Sequence, residues 1–405
     1  MPASVPLFAR QPIFDRENAV QAYELLFRHN DENRAVVIDG DQATSTVLLH
    51  SFGEYQFEEF IGDCKAYVNY TRNLLLNPPP LLPKHKVVVE ILEDIEPDAE
   101  VLRGIARMRD EGHLIALDDY VLTKNTAQFL EFASIVKIDV LQLGEAEVRD
   151  LVDELKPHNL TLLAEKVENH EVMEMCIDLG FDLFQGYYLC KPKIVRGVKI
   201  TENKQSVLRL ISALNNPDIQ VQKVVEIIGL DPTLSYKILR LVNSSAVGLA
   251  RKIDSLSQAV ALLGLQAIKS WVTFLLMANN DDKPQELGVL SLCRAKFCEL
   301  IGKEIGGRVL GEACFTTGLL SSLDAFLDTP LDEIVSTLNL TESMNDALLN
   351  GGGEAGMVLQ IVENYQRGNW DAIDWSKVEK FGVDPQAINR LYGESVVWAT
   401  QLIAE

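Results

Sequence analysis

Apolar residues follow two different rhythms along this chain. Up to about residue 200 they gather in short runs: FARQPIFD, VQAYELLFR, KAYVNYT, KVVVEIL, LIALDDY, IVKIDV, LTLLAEKV and LFQGYYL. Between them lie stretches such as EVLRGIARMRDEG and VRDLVDELKPHN, whose apolar positions recur at helical spacing. Strand runs alternating with helices predict a parallel α/β domain, and eight runs are the number a TIM-like (β/α)8 barrel requires.

Beyond residue 200 the strand signal stops. NKQSVLRLISALN, VQKVVEIIGL, PTLSYKILRLVNSS and SLSQAVALLGLQAIKSWVTFLLMA all carry the helical period. Asp231 followed by Pro232, and Ser255 before an apolar run, read as helix starts, and Gly351–Gly353 as a loop. The pattern predicts a barrel over residues 1–200 and an all-α domain over 201–405, joined through the polar stretch KIVRGVKITENK. Trp271 and Phe274 fall on the expected core face, and the Asn243-Ser244-Ser245 turn reads as a helix cap and connector.

Composition narrows the function. A chain of 405 residues with 47% hydrophobic and 24% charged residues buries a full core in two or three domains. A net charge of −22 argues against binding a nucleic-acid polymer or an anionic membrane surface, both of which need a positive face. It leaves room for a small phosphate ligand whose charge is shielded by metal ions. MPASVPLFARQPIFDR lacks the apolar core of a signal peptide, and SWVTFLLMA falls short of the ~20 residues of a membrane span. The six cysteines form no CxxC pair and read as buried free thiols. Together these predict a cytoplasmic protein.

The strand runs carry the candidate chemistry. Glu24, Asn69, Glu90, Asp118 with Asp119, Lys137 with Asp139, Glu165 with Glu168, and Gln185 all lie within or late in a run. A barrel gathers the C-terminal ends of its strands around one mouth. Strands buried on both faces should be nearly wholly apolar, and charges inside them are costly unless paired or metal-bound. Carboxylates converging there would repel one another, and hard oxygen ligands of this kind suit Mg2+, Mn2+ or Ca2+.

These residues resemble the EAL domain, a barrel phosphodiesterase that opens the bacterial messenger cyclic di-GMP. The matching words, in the family's order over roughly residues 8–195, begin with Tyr23-Glu24-Leu25-Leu26-Phe27-Arg28, Val68-Asn69 and Glu90-Ile91-Leu92-Glu93. Asp118-Asp119-Tyr120, Val136-Lys137-Ile138-Asp139, Ala164-Glu165-Lys166-Val167-Glu168 and Gln185-Gly186-Tyr187 follow. The resemblance implies two Mg2+ or Mn2+ ions held by Glu24, Asn69, Glu90, Asp118, Asp119, Glu165 and Gln185. It implies catalytic roles for Glu165, Lys137 and Glu24, with Lys137 orienting the attacking water. Arg28, Gln185 and Asp139 would contact the nucleotide, the Arg28 guanidinium gripping a phosphate. Glu93 and Glu168 would support the loops that close the site. The chain departs from the family at Leu25, where the family has Ala, and at Val121-Leu122-Thr123, where it has Gly-Thr-Gly.

The second half resembles the HDOD module, a helical relative of the HD metal phosphohydrolases, through Asp231-Pro232, Leu239 to Ser244, Ile253 to Leu256 and Ala259 to Gln266. All six histidines precede residue 171, and Ser321-Ser322 follow Gly318-Leu319-Leu320 where such an enzyme carries His-Asp. The expectation is a regulatory or docking domain without an HD-type metal centre. The whole chain then reads as a phosphodiesterase that hydrolyses cyclic di-GMP to pGpG, lowering the messenger and favouring motility over biofilm. The alternative is an inactive or very slow cyclic di-GMP receptor signalling through its HDOD domain. Expected partners are cyclic di-GMP, a protein docked on the HDOD domain and a second copy of the chain.

Overall fold

The computed structural model describes residues 7–28, 60–78 and 84–186, then 208, 210–214, 216, 218–229, 232–243, 253, 255–278, 284–338 and 340–404. The chain divides into two units, Met1–Tyr188 and Leu189–Glu405. The expected junction at residues 193–204 lies outside the described residues.

The first unit is a closed barrel of eight strands in chain order: β1 (Leu7–Phe14), β2 (Val20–Arg28), β3 (Lys65–Tyr70), β4 (Val87–Ile91), β5 (Leu114–Leu117), β6 (Ile135–Asp139), β7 (Thr161–Glu165) and β8 (Leu183–Gln185). Each run read as a strand forms one. The expectation of a wholly parallel sheet needs correction, because β1 runs antiparallel to both β2 and β8. The cause is the connection from β1 to β2. Five residues cannot hold the crossover of a dozen or more that parallel strands need. Instead Asp15 Oδ1 accepts from the backbone N–H of Glu17 (3.0 Å) and Ala19 (2.8 Å), while Asn18 takes a positive φ of 62°, making a hairpin.

Helices cover the outside of the sheet. In Glu145–Leu155, Val148, Leu151, Val152 and Leu155 are buried, one stripe at i, i+3, i+4 and i+7. Ala99–Asp110 starts at Asp98, whose Oδ1 accepts from the N–H groups of Glu100 and Val101. Inside the barrel, Ile13, Ala22, Tyr67, Val88, Ala116, Ile135 and Leu163 form one apolar cluster against which Leu183 packs, one residue from every strand.

The second unit is helical throughout its described residues. Ser255 caps Leu256–Leu263 by accepting from the Gln258 N–H (3.2 Å), as the sequence predicts, and Pro232 opens Pro232–Val242. Asp231 lies outside the described residues. The Asn243 side chain acts as a connector. Its Nδ2 donates to the carbonyls of Leu239 (2.8 Å) and Ile253 (2.9 Å), and its Oδ1 accepts from the Ile253 N–H (2.7 Å). Gln285–Leu320 is two helices folded back at Gly306–Gly307, whose backbones are not helical. Close packing of the arms requires small residues, since a Cβ on Gly318 would meet Ala295 Cα at 3.0 Å and the Arg294 carbonyl oxygen at 3.1 Å.

Trp271 and Phe274 are buried, with Trp271 against Phe315 and Trp398. Cys176, Cys293, Cys298 and Cys314 are buried free thiols, Cys64 is a partly buried one, and Cys190 lies outside the described residues. Among the described residues no single helix is long and apolar enough to cross a membrane. The bent pair Leu256–Leu263 and Leu265–Leu275 passes by length and composition, yet its Ala259, Val260, Ile268, Val272 and Phe274 are buried in the unit.

Candidate active site

The apolar cluster inside the barrel has a polar ring above it, and the two-residue period of a strand explains why. Two positions beyond Ala22, Tyr67, Val88, Ala116, Ile135, Leu163 and Leu183 stand Glu24, Asn69, Glu90, Asp118, Lys137, Glu165 and Gln185. On β1, which runs the other way, the polar residue comes two positions before Ile13, at Gln11. Each strand thus carries one apolar residue in the barrel's plug and one polar residue at its mouth. Register sets Gln11 beside Glu24 and Asn69 beside Glu90, whereas Glu24 pairs with Tyr67, Glu90 with Ala116 and Lys137 with Leu163, the stagger of a closed barrel.

Lys137 is the centre of the ring. Its side chain is wholly buried, and its Nζ lies 2.6 Å from Asp118 Oδ1, 2.8 Å from Glu90 Oε1, 3.0 Å from Glu165 Oε1 and 3.2 Å from Glu24 Oε2. An ammonium has three N–H donors, so four carboxylates exceed its capacity. Asp118 and Glu24 take hydrogen bonds, whereas Glu90 and Glu165 are held as ion pairs. Gln185 Nε2 donates to Glu24 Oε2 (2.6 Å) and to Gln11 Oε1 (3.1 Å). Glu90 Oε2, Glu165 Oε2, Gln185 Oε1 and Asp119 Oδ1 are buried without a hydrogen-bond partner.

The charges respond to this crowding. Burial raises the Glu90 carboxyl well above its usual range; Lys137 counteracts this, while Glu24 and Asp118 add to it. Burial pushes Glu165 up to about 8 despite Lys137, and Glu24 and Asp118 push the same way. Burial disfavours the charged form of Lys137, but Glu24, Glu90, Glu165 and Asp118 together hold its pKa above the ordinary lysine value. Asp119 is also raised, mainly by desolvation. It has a φ of 40°, a strained conformation for a non-glycine residue.

The other predicted residues lie around this ring. Asp139 is buried and already engaged: its Oδ1 accepts from the N–H groups of Leu141 and Gln142, and its Oδ2 pairs with Lys166 Nζ. Asn69 is half-buried beside Glu90. Glu93 and Glu168 are exposed. Glu93 lines a cleft of about 400 Å³ together with Asp118, Asp119 and Tyr120. The Arg28 backbone closes β2 opposite Leu7, and its side chain lies outside the described residues, as does Tyr187. Val121, Leu122 and Thr123 all avoid positive φ, so their backbone makes no demand for glycine. Thr126 Oγ1 secures that loop by donating to the Val121 carbonyl (2.7 Å) and accepting from the Thr123 N–H (2.8 Å).

Gln11 is the ring member that sequence reasoning missed. Its signal was parity, since it has the same inward alternation as the other strands once β1 is reversed. Gly186, directly after Gln185, holds φ at 156°, and a Cβ there would lie 2.2 Å from the Val167 carbonyl oxygen. Gly186→Ala is therefore expected to force β8 away from the backbone after β7 and to cost about 3 kcal/mol. Urea unfolding checks this, and an unchanged midpoint would refute it.

The donor chemistry of the ring fits divalent cations, with several buried carboxylate or amide oxygens left without a partner and no soft ligand among them. As they stand, no three such acidic side chains among the described residues are spaced to grip an ion; they close on the ammonium instead. In the helical unit the buried Arg294 joins Ser321 and Ser322. Its NH1 donates to Ser321 Oγ (3.1 Å) and Ser322 Oγ (3.3 Å), and its Nε to Gln366 Oε1 (3.0 Å).

An eight-stranded barrel with a reversed first strand and an acidic ring at its mouth is thus followed by a helical unit. The EAL domain family matches residues 7–192 and the HDOD domain family residues 201–330. The uncharacterized protein YuxH of Bacillus subtilis is 32% identical over 405 residues, 98% of either chain. The chain belongs to this EAL–HDOD family. The cyclic di-GMP phosphodiesterase CdgJ of Vibrio cholerae is 29% identical over 399 residues, 97% of this chain and 92% of that one. Among solved structures, a standalone EAL protein from Vibrio cholerae O395 in its c-di-GMP bound form covers 46% of this chain and 92% of its own, at 20% identity and a TM-score of 0.38.

Proposed function

We propose that this chain hydrolyses one phosphodiester bond of cyclic di-GMP, releasing pGpG, with two Mg2+ or Mn2+ ions as cofactors. The observation that carries this reading is the buried ring of four carboxylates around Lys137, with acceptor oxygens left over. A full-length relative named as a cyclic di-GMP phosphodiesterase supports the choice of substrate.

Glu24, Asn69, Glu90, Asp118, Asp119, Glu165 and Gln185 would hold the ions. When bound, two divalent ions supply charge neutralisation at the phosphodiester and a nucleophile from water at neutral pH. The chain's own groups do the rest. Glu165, in its ionised form, would take the proton released as water attacks. Lys137 orients the water and offsets negative charge that develops on the phosphate. Arg28 grips a phosphate of the nucleotide, Asp139 and Gln185 contact the substrate, and Glu93 and Glu168 steady the loops above. Through this activity the protein lowers the messenger in the cytoplasm and favours motility over biofilm. Its HDOD domain, over residues 201–405, docks a protein partner, and the chain pairs with a second copy.

Incubation of the purified full-length chain with Mn2+ and cyclic di-GMP tests the proposal, with products separated by anion-exchange chromatography. Linear dinucleotide is expected from the wild type and none from Glu24→Ala. Nucleotide binding without product would replace the enzyme with a receptor, and the absence of both would leave a scaffold.

A further inference from the structure

We infer that Lys137 is the resident counter-ion of the metal-free barrel: its ammonium holds Glu24, Glu90, Asp118 and Glu165 together until divalent ions take those carboxylates over. The inference rests on the metal-dependent reading above and adds a second role for the same residue. Lys137 would stabilise the empty site and, by the same contacts, weaken its affinity for metal.

Three observations carry it. First, the Nζ sits among four carboxylate oxygens at 2.6–3.2 Å, an arrangement that resembles the ligand sphere of a cation more than a single salt bridge. Second, the lysine side chain is wholly buried and so is Glu90, so neither group can turn to water for relief. Third, the carboxylates converge on the ammonium and not on a common vacancy, since no three among the described residues are spaced for an ion. Loading metal therefore requires them to turn away from Nζ, and the attraction lost in that turn opposes binding. The unpartnered Oε2 atoms of Glu90 and Glu165 are where an incoming ion would first find free acceptors.

The nearby cation Lys166 does not substitute. It is paired with Asp139, which is itself tied to the start of the helix Val140–Leu143. Without Lys137, the ring would lose the cation that its four acidic side chains share in a dry barrel, which is strongly destabilising for the charge left there.

Lys137→Met tests this, because methionine keeps an unbranched apolar stem of similar length and removes only the charge. In EDTA-treated protein the unfolding midpoint should fall by about 10 °C. Saturating Mn2+ should recover most of the loss, and Mn2+ affinity, measured by electron paramagnetic resonance of the free ion, should tighten about tenfold or more. The double variant Lys137→Met/Glu90→Gln removes one of the opposed charges and should regain part of the metal-free midpoint, which a mere packing defect would not. If Lys137→Met folds only in the presence of Mn2+, the inference stands. Unchanged or weaker Mn2+ affinity, or no rescue in the double variant, overturns it. Failure of the wild type to bind Mn2+ would instead sink the proposed function.

Discussion

Metal-free protein is expected to lose stability as pH rises from about 5 to about 9, opposite to the usual trend for a protein rich in paired carboxylates. Burial sets the Glu165 carboxyl at about 8 and raises Glu90 well above its usual range, with like charges on Glu24 and Asp118 adding to the effect. In the unfolded chain both titrate near the ordinary value of about 4.3. Between those limits the folded state binds more protons than the unfolded one, so each rise in pH favours unfolding. The stabilisation is complete below the unfolded pKa and is lost as pH passes through the folded one. For Glu165 alone the span corresponds to about 5 kcal/mol. One ammonium cannot neutralise four carboxylates, so protons on Glu165 and Glu90 reduce the negative charge left in the cluster. Urea unfolding in EDTA at several pH values measures the slope, and Glu165→Gln, which mimics the protonated form, should flatten it. Stability that instead rises from pH 5 to 9 would show that all four carboxylates ionise in the folded barrel.

This cluster also shows what the sequence could and could not reveal. The strands were legible because each is a short apolar run, and their mouth-facing residues because a charge in such a run breaks the expectation of burial. Glu24, Glu90, Asp118, Lys137 and Glu165 were recognisable on those grounds and do converge. That Lys137 sits at their centre was not legible, since spacing along β6 gives its height in the barrel and not the reach of a four-carbon stem across it. Gln11 escaped because strand direction fixes which end faces the mouth, and the reversal of β1 depends on Asp15 and Asn18 in a short turn. In the second half the helical period runs through Gly306–Gly307 with little interruption. The fold-back there follows from backbone conformation, including a φ of 71° at Gly307, and from tertiary contacts between Ala295 and Gly318. Arg294 gave no sequence signal, because a single arginine in a long helix is ordinarily solvated; only the fold brings it to Ser321 and Ser322.

Glu165→Gln should reduce turnover of cyclic di-GMP by about a thousandfold or more while leaving nucleotide affinity within about tenfold of wild type; in free energy the loss of turnover is about 4 kcal/mol of transition-state stabilisation. The amide has the size and shape of the acid, so the inward geometry beside Lys137 and the register with Asp139 survive. What disappears is the negative charge that would hold metal and the basic oxygen that would accept a proton from water. Glu165 is at the ring's inner edge and buried, so no bulk water stands ready to replace it as a base. Nucleotide affinity depends more on groups that grip phosphate and guanine, Arg28 among them, than on this carboxylate. Steady-state assays in Mn2+ measure the first quantity, and equilibrium binding in Ca2+, which has looser coordination geometry, the second. Equal loss of binding and turnover would recast Glu165 as a substrate contact. Near wild-type turnover would remove it from the chemistry and move the search for the base to Asp118 or Asp119.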